Sequence, residues 1–270
     1  MGGTKISEAA RARTADIVAA LRATASSSSP TKLEGPTKLE GWTRLTVACH
    51  LRYGAIASDQ MTADALAGVE TSFYPGGRWD QRPGTLEPGL GEGPDQVVDS
   101  LEVKSARLHN SWARLSETEW ATPICEPPDN PDLGETTVAE LALLRLTEVE
   151  VHGCDLDLGL GDWSDVFVTN ALRFRIGRLC SRRSKKRAAV SGVEGSWMLA
   201  ATDGPSWRIS LRGEEVTCEP VDGPAPADAV IEATSRDLLA LLLGRPLKDG
   251  LVERGDTRFA AEFSRAFPGP

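Results

Sequence analysis

The segment spanning residues 137–155 limits what this chain can fold into more than any other. Thr137 and Glu140 stand three apart in a capping-box arrangement, which satisfies amides that a helix start leaves orphaned. Behind them Val138, Leu141, Leu143, Leu144, Leu146, Val149 and Val151 place apolar side chains nearly all round a helix. Such a helix is stable only when other elements surround it, so it belongs at the centre of a bundle. Yet Arg145, Glu148, His152 and Asp155 run along the same helix at spacings of three and four, in one stripe. Buried ionisable groups cost free energy unless they are paired, so the stripe needs a physical reason.

The chain supplies companions for this helix. An amphipathic helix is expected over 6–24, with Ile6, Ala10, Ile17, Val18 and Leu21 on one face. Thr43 is a good N-cap for a second helix reaching about Leu66, carrying Leu45, Val47, Ala48, Leu51, Ala55 and Ile56. Pro94 suits the start of a third, running to about Leu115. A further helix, 164–181, ends in the basic run Arg182–Arg187, read as a solvated helix end. The serine run Ser26–Pro30 and the duplicated Thr31–Gly35 and Thr37–Gly41 read as loop. Residues 71–93, rich in glycine and proline, read as a long irregular loop holding Tyr74, Arg78, Trp79 and Arg82.

After residue 190 the pattern shortens. Trp197–Ala201, Trp207–Leu211, Val216–Pro220 and Ala229–Ala233 have the look of strands, and Ser235 caps an apolar helix, Leu238–Leu243. The expectation is two domains, an all-α bundle over 1–187 and a small α+β domain over 190–270.

Charge and cysteine usage narrow the functions. A net charge of −9 repels phosphate backbones and counts against nucleic acid. No apolar stretch is long enough to span a bilayer, and the N-terminus has no apolar signal core. The five cysteines are irregularly spaced with no CxxC, which fits reduced thiols in a cytoplasm.

Only three histidines occur: His50, His109 and His152. Glu148 and His152 share a helix face, and a metal ion would offset the burial of a carboxylate and an imidazole there. His50, mid-helix among apolar residues, offers a third ligand from a neighbouring helix. Two histidines and one carboxylate leave a fourth position open, the pattern of catalytic rather than structural zinc. Spacing alone leaves a blander alternative, and favours it: Glu148 pairs with Arg145 or another arginine, and His152 is a satisfied core histidine. His109 reads as a surface residue, Trp42 as a core anchor, and Cys49 and Cys154 as small core residues.

Longer motifs add to this. Gly41-Trp42-Thr43-Arg44 followed by Ala48-Cys49-His50-Leu51 resembles a segment of DinB-like bundle proteins, and more narrowly of the mycothiol-dependent maleylpyruvate isomerase family. Glu148-Val-Glu-Val-His152-Gly-Cys-Asp155-Leu156 resembles that family's E-x-x-x-H-x-x-D-L segment. Phe73-Tyr74-Pro75 with Arg82 resembles its loop after the second helix, and Asp228–Arg245 its smaller, sterol-carrier-like domain. The resemblance implies a DinB-like four-helix bundle holding zinc through His50, Glu148 and His152. It implies mycothiol, the actinobacterial thiol, as cosubstrate, its sulfur on the metal. Asp155, Tyr74 and Trp79 would then meet the cofactor, while Arg82 and Arg245 handle the substrate. The implied partners are mycothiol and a small electrophile, in a cytoplasmic monomer or homodimer. The implied reaction is S-transfer to a small or sugar-derived electrophile, as in antibiotic biosynthesis. Isomerisation of the maleylpyruvate type ranks second, because the glycine-rich stretch 76–93 is longer than the family pattern. A non-catalytic metal-binding module is the remaining alternative.

Overall fold

The structure, a computed structural model, describes residues 2–25, 33–131, 133–223 and 225–269. The serine run and the first two residues of the duplicated segment lie outside the described residues. The chain divides into two compact units, Met1–Phe167 and Val168–Pro270.

The first unit is helix-rich. It comprises α1 (Gly3–Ala25), α2 (Arg44–Leu66), α3 (Arg78–Thr85), α4 (Pro94–Trp112), α5 (Glu117–Trp120), the two-residue strands β1 (Pro123–Ile124) and β2 (Thr136–Thr137), and α6 (Val138–Asp155). Capping chemistry sets the helix starts. Thr43 Oγ1 accepts from the Thr46 amide at 3.1 Å. Thr137 Oγ1 accepts from the Glu140 amide at 3.3 Å, and Glu140 Oε2 accepts from the Thr137 amide at 2.8 Å. Helix α1 packs chiefly on α4 and α6, and α2 on the same two, so the four long helices close a ring. Leu141, Leu143, Leu146 and Val149 of α6 are fully buried inside it. Burial of each such side chain stabilises the unit by roughly 1.5–3 kcal/mol.

Three expectations change here. The stretch 71–93 is not irregular throughout, because α3 forms within it despite Pro83. A third helix ending at Leu115 gives way to one ending at Trp112, after which Ser116 and Glu119 cap the short α5. His109 is not a surface residue: it is only 3% exposed. Its place on α4 repeats the buried stripe Leu101, Ser105, Leu108 and Trp112, and helical periodicity carries the imidazole into the core. Burial first, then the charges of Arg145 and Arg11, push it down to about 3, so it is neutral.

The boundary between the units falls inside α7 (Asp165–Leu179). It lies upstream of the change in sequence character at residue 190. Within the second unit Arg175 of α7 donates to the Leu242 carbonyl at 3.4 Å. The basic run forms a helix of its own, α8 (Arg182–Val190), capped by Ser181. Then follow β3 (Gly195–Ala201), β4 (Ser206–Arg212), β5 (Glu215–Val221), β6 (Ala229–Ala233), α9 (Ser235–Leu243), β7 (Val252–Gly255) and α10 (Thr257–Ala266). The sheet order is β5-β4-β3-β6-β7, with β3 and β6 parallel and the other pairs antiparallel. Thr234, not Ser235, caps α9. Trp197 anchors the core, stacked on Phe259 of α10 at 4.5 Å between ring centres. Among the described residues no helix is long and apolar enough to cross a membrane.

Candidate metal centre

His50 lies on α2, seven residues after its cap, and Glu148 and His152 lie one turn apart on α6. The packing of α2 on α6 brings the three together. Glu148 Oε2 is 2.7 Å from His50 Nε2 and 3.3 Å from His152 Nε2. One ligand atom from each residue falls within 4.8 Å of the others. Donors about 2.1 Å from a tetrahedral zinc stand roughly 3.4 Å apart, so the Glu148–His152 pair already has that spacing and the Glu148–His50 pair would open by about 0.7 Å to accept an ion. The imidazoles meet edge to face, ring centres 5.0 Å apart.

Asp155 completes the geometry. Its Oδ2 lies 3.0 Å from His152 Nδ1, so when His152 gives up its charge to a metal the remaining proton would stay on Nδ1 and leave Nε2 for the ion. The end of α6 is held from the other side: the Lys38 amide donates to the Asp155 carbonyl at 2.8 Å, and Arg44 Nε to the Leu156 carbonyl at 3.2 Å. Gly153 lets Arg13 lie across α6, since a Cβ there would meet Arg13 Nε at 2.9 Å. That guanidinium pairs with buried Glu150 at 3.3 Å.

The electrostatics follow from these contacts. Burial disfavours charge on Glu148, but hydrogen bonds from His152 and His50 outweigh it and hold the carboxyl well below its ordinary range. The Glu148 side chain is nonetheless 42% exposed, which leaves the cluster open on one side. Burial also works against a charged His152, yet the bonds to Asp155 and Glu148 push it up to about 9.

Arg145 does not pair with Glu148. It reaches the Leu51 carbonyl at 2.8 Å and Ser105 Oγ at 3.3 Å, deep among α2, α4 and α6, and burial pushes it down to about 10. Cys49 is buried and pushed up to about 11 by burial, so its thiol stays protonated at neutral pH. Cys154 is half-buried beside Arg13.

Trp42 is the residue sequence reasoning missed. Half-buried, it is no plain core anchor: its ring stacks on His152 at 5.9 Å and meets His50 edge-on at 5.5 Å. Arg82 of α3 lies over the Trp42 ring, its Cζ 5.6 Å from the centroid. The signal was the spacing of Trp42 to His50, about two helical turns. Tyr74 is buried, stacked on Tyr53 with Arg78 above it. Trp79 is 89% exposed on α3. Arg245 belongs to the second unit, just after Gly244, which ends α9 in a left-handed turn.

The fold and the cluster define a helix-rich unit in which two packed helices present two histidines and a carboxylate around one open corner. Residues 8–157 match the family described as mycothiol maleylpyruvate isomerase N-terminal domain, and the chain belongs to that family. The match takes in all three clustered residues together with Trp42, Arg82 and Asp155. Two solved structures of a mycothiol-dependent maleylpyruvate isomerase, one a histidine-to-alanine variant, share the fold with a TM-score of 0.63. Each is 21% identical and aligns over 94% of this chain and 93% of its own. No curated protein sequence matches the chain.

Proposed function

We propose that the protein is a zinc- and mycothiol-dependent transferase, joining mycothiol to a small or sugar-derived electrophile in the cytoplasm. Its first unit acts as a DinB-like four-helix bundle and its second as a sterol-carrier-like domain. One observation carries the reading: His50, Glu148 and His152 offer ligand atoms within 4.8 Å of one another, with Asp155 on the second nitrogen of His152. Two nitrogens, one oxygen and no sulfur fit an open, catalytic zinc site rather than a closed structural one. A zinc ion held there supplies positive charge that favours a thiolate over a thiol.

The chain's own residues do the rest. Asp155 keeps the His152 proton on Nδ1. Trp42 walls the imidazoles and fixes their planes. Arg82, held over Trp42, offers an anionic electrophile a charge-assisted anchor. Trp79, one turn before Arg82 on α3 and open to solvent, is placed to meet a ligand, while Tyr74 supports the same loop from beneath. Arg245 is the second arginine of the proposal. Cys49 stays protonated, and the nucleophile is the sulfur of mycothiol: it would form a C–S bond with the electrophilic carbon as that carbon's bond to its leaving group breaks, the leaving group departing with the electron pair and the thiol proton passing to it or to solvent.

The glycine-rich stretch 76–93, longer than the family pattern, supports a substrate larger than maleylpyruvate, and so S-transfer. A second reading, cis-trans isomerisation of the maleylpyruvate type, is favoured by the fold shared with that enzyme. Incubating zinc-loaded protein with mycothiol and a panel of electrophiles tests both. S-transfer consumes thiol in step with conjugate; isomerisation converts substrate while thiol stays constant. If no member of the panel reacts, the enzymatic reading fails.

A further inference from the structure

Cys180 and Cys218 are 38 residues apart in sequence, yet their Sγ atoms meet at 3.2 Å in the second unit. Cys180 sits in the turn between α7 and α8, its amide donating to the Gly177 carbonyl at 3.2 Å. Cys218 is on β5, opposite Ile209 of β4. Both thiols are free, and both residues are only half-buried. Closing a disulfide brings sulfurs to about 2.05 Å, so the two must approach by roughly 1 Å. Among the described residues no further histidine, cysteine, aspartate or glutamate stands with the pair to make a metal site.

We propose that Cys180 and Cys218 form a dithiol–disulfide exchange site whose oxidising partner is a low-molecular-weight disulfide. The basic run Arg182–Arg187 begins two residues after Cys180, and the charge of Lys185 acts on Cys218. Cations beside a thiol favour the thiolate that attacks. The first attack falls to Cys180, which sits in the turn before the basic helix, whereas Cys218 is held within β5 by its pairing to β4; burial, and then Cys180 itself, push the Cys218 thiol above its ordinary value.

The exchange balances without any further reactant. The Cys180 thiolate attacks one sulfur of the disulfide, breaks its S–S bond and releases one thiol as it becomes a mixed disulfide. Cys218 then loses its proton to solvent, attacks the Cys180 sulfur and expels the second thiol. Two protein thiols are oxidised and one small disulfide is reduced to two thiols. The product ties the turn between α7 and α8 to β5. The site lies within the second unit.

The test uses the native full chain with oxidised glutathione as probe, followed by thiol blocking and non-reducing peptide mapping. The expected result is loss of the Cys180 and Cys218 thiols together, with the two peptides joined and no glutathione on either. Cys218→Ser leaves Cys180 carrying one glutathione, and Cys180→Ser leaves Cys218 unmodified. Exposed Cys125 is the internal control, taking up glutathione in every variant. If Cys125 reacts while Cys180 and Cys218 stay alkylatable, the proposal is overturned. Separate glutathione adducts on both, with no joined peptide, overturn it equally.

Discussion

Metal affinity at the His50–Glu148–His152 cluster should climb with pH. In the metal-free protein burial lowers the His152 pKa, but Asp155 and Glu148 outweigh it and hold it at about 9. A metal accepts only the neutral imidazole, so binding must expel that proton. Each pH unit below 9 then weakens apparent affinity about tenfold, or about 1.4 kcal/mol. From pH 7 to the plateau above pH 9 the rise is about 100-fold. Zinc titrations against a chromophoric chelator, corrected for the chelator's own protonation, measure the slope. Calorimetry in buffers of different ionisation enthalpy counts the proton, about one released at pH 7 from His152. Asp155→Asn sharpens the test by removing a contact that raises His152. The plateau should begin at lower pH, while its height falls about 10- to 100-fold through loss of the group that orients the imidazole. An affinity that is flat with pH and releases no proton would refute the reasoning.

Three further outcomes follow from the same contacts. His109 stands at about 3 when folded and near 6.5 when unfolded, so the unfolded chain takes up the extra proton between those values. Stability is therefore lost as pH falls below 6.5, by about 2.7 kcal/mol at pH 4.5 from this group. His109→Phe should bring the urea midpoints at pH 7 and 4.5 closer together; an unchanged gap contradicts the assignment. Cys49→Ala should keep kcat/KM with mycothiol within about twofold at a stability cost of about 1 kcal/mol, whereas a large loss of turnover would make Cys49 a participant. Arg82→Ala should raise KM for an anionic electrophile about 10- to 100-fold with zinc content unchanged, the weight of one hydrogen bond to a charged group. An unaltered KM removes Arg82 from the substrate site.

Much of the first unit was legible because its signals are local. The Thr137–Glu140 capping box, the Thr43 cap and Pro94 announce helices whatever surrounds them. Helical spacing put Glu148 and His152 on one face. That His50 meets them depends on α2 packing against α6, which periodicity alone does not specify. Trp42 looked like core because an aromatic before a helix usually packs inward; its stacking on two imidazoles is a tertiary fact. His109 was hidden by its polarity although it repeats a buried stripe. Glycine and proline concealed α3. Strand β7 escaped because an edge strand exposed at every position carries no alternation, and α10 because its cap, Asp256, follows that strand directly.

The central claim, that His50, Glu148 and His152 together hold a metal, is tested most directly by elemental analysis of purified protein beside His50→Ala and His152→Ala. The claim predicts about one zinc per chain in the parent and its loss in both variants, each with helical circular dichroism intact. Zinc retained in either folded variant, or absent from a parent refolded with excess zinc at pH 8, contradicts it.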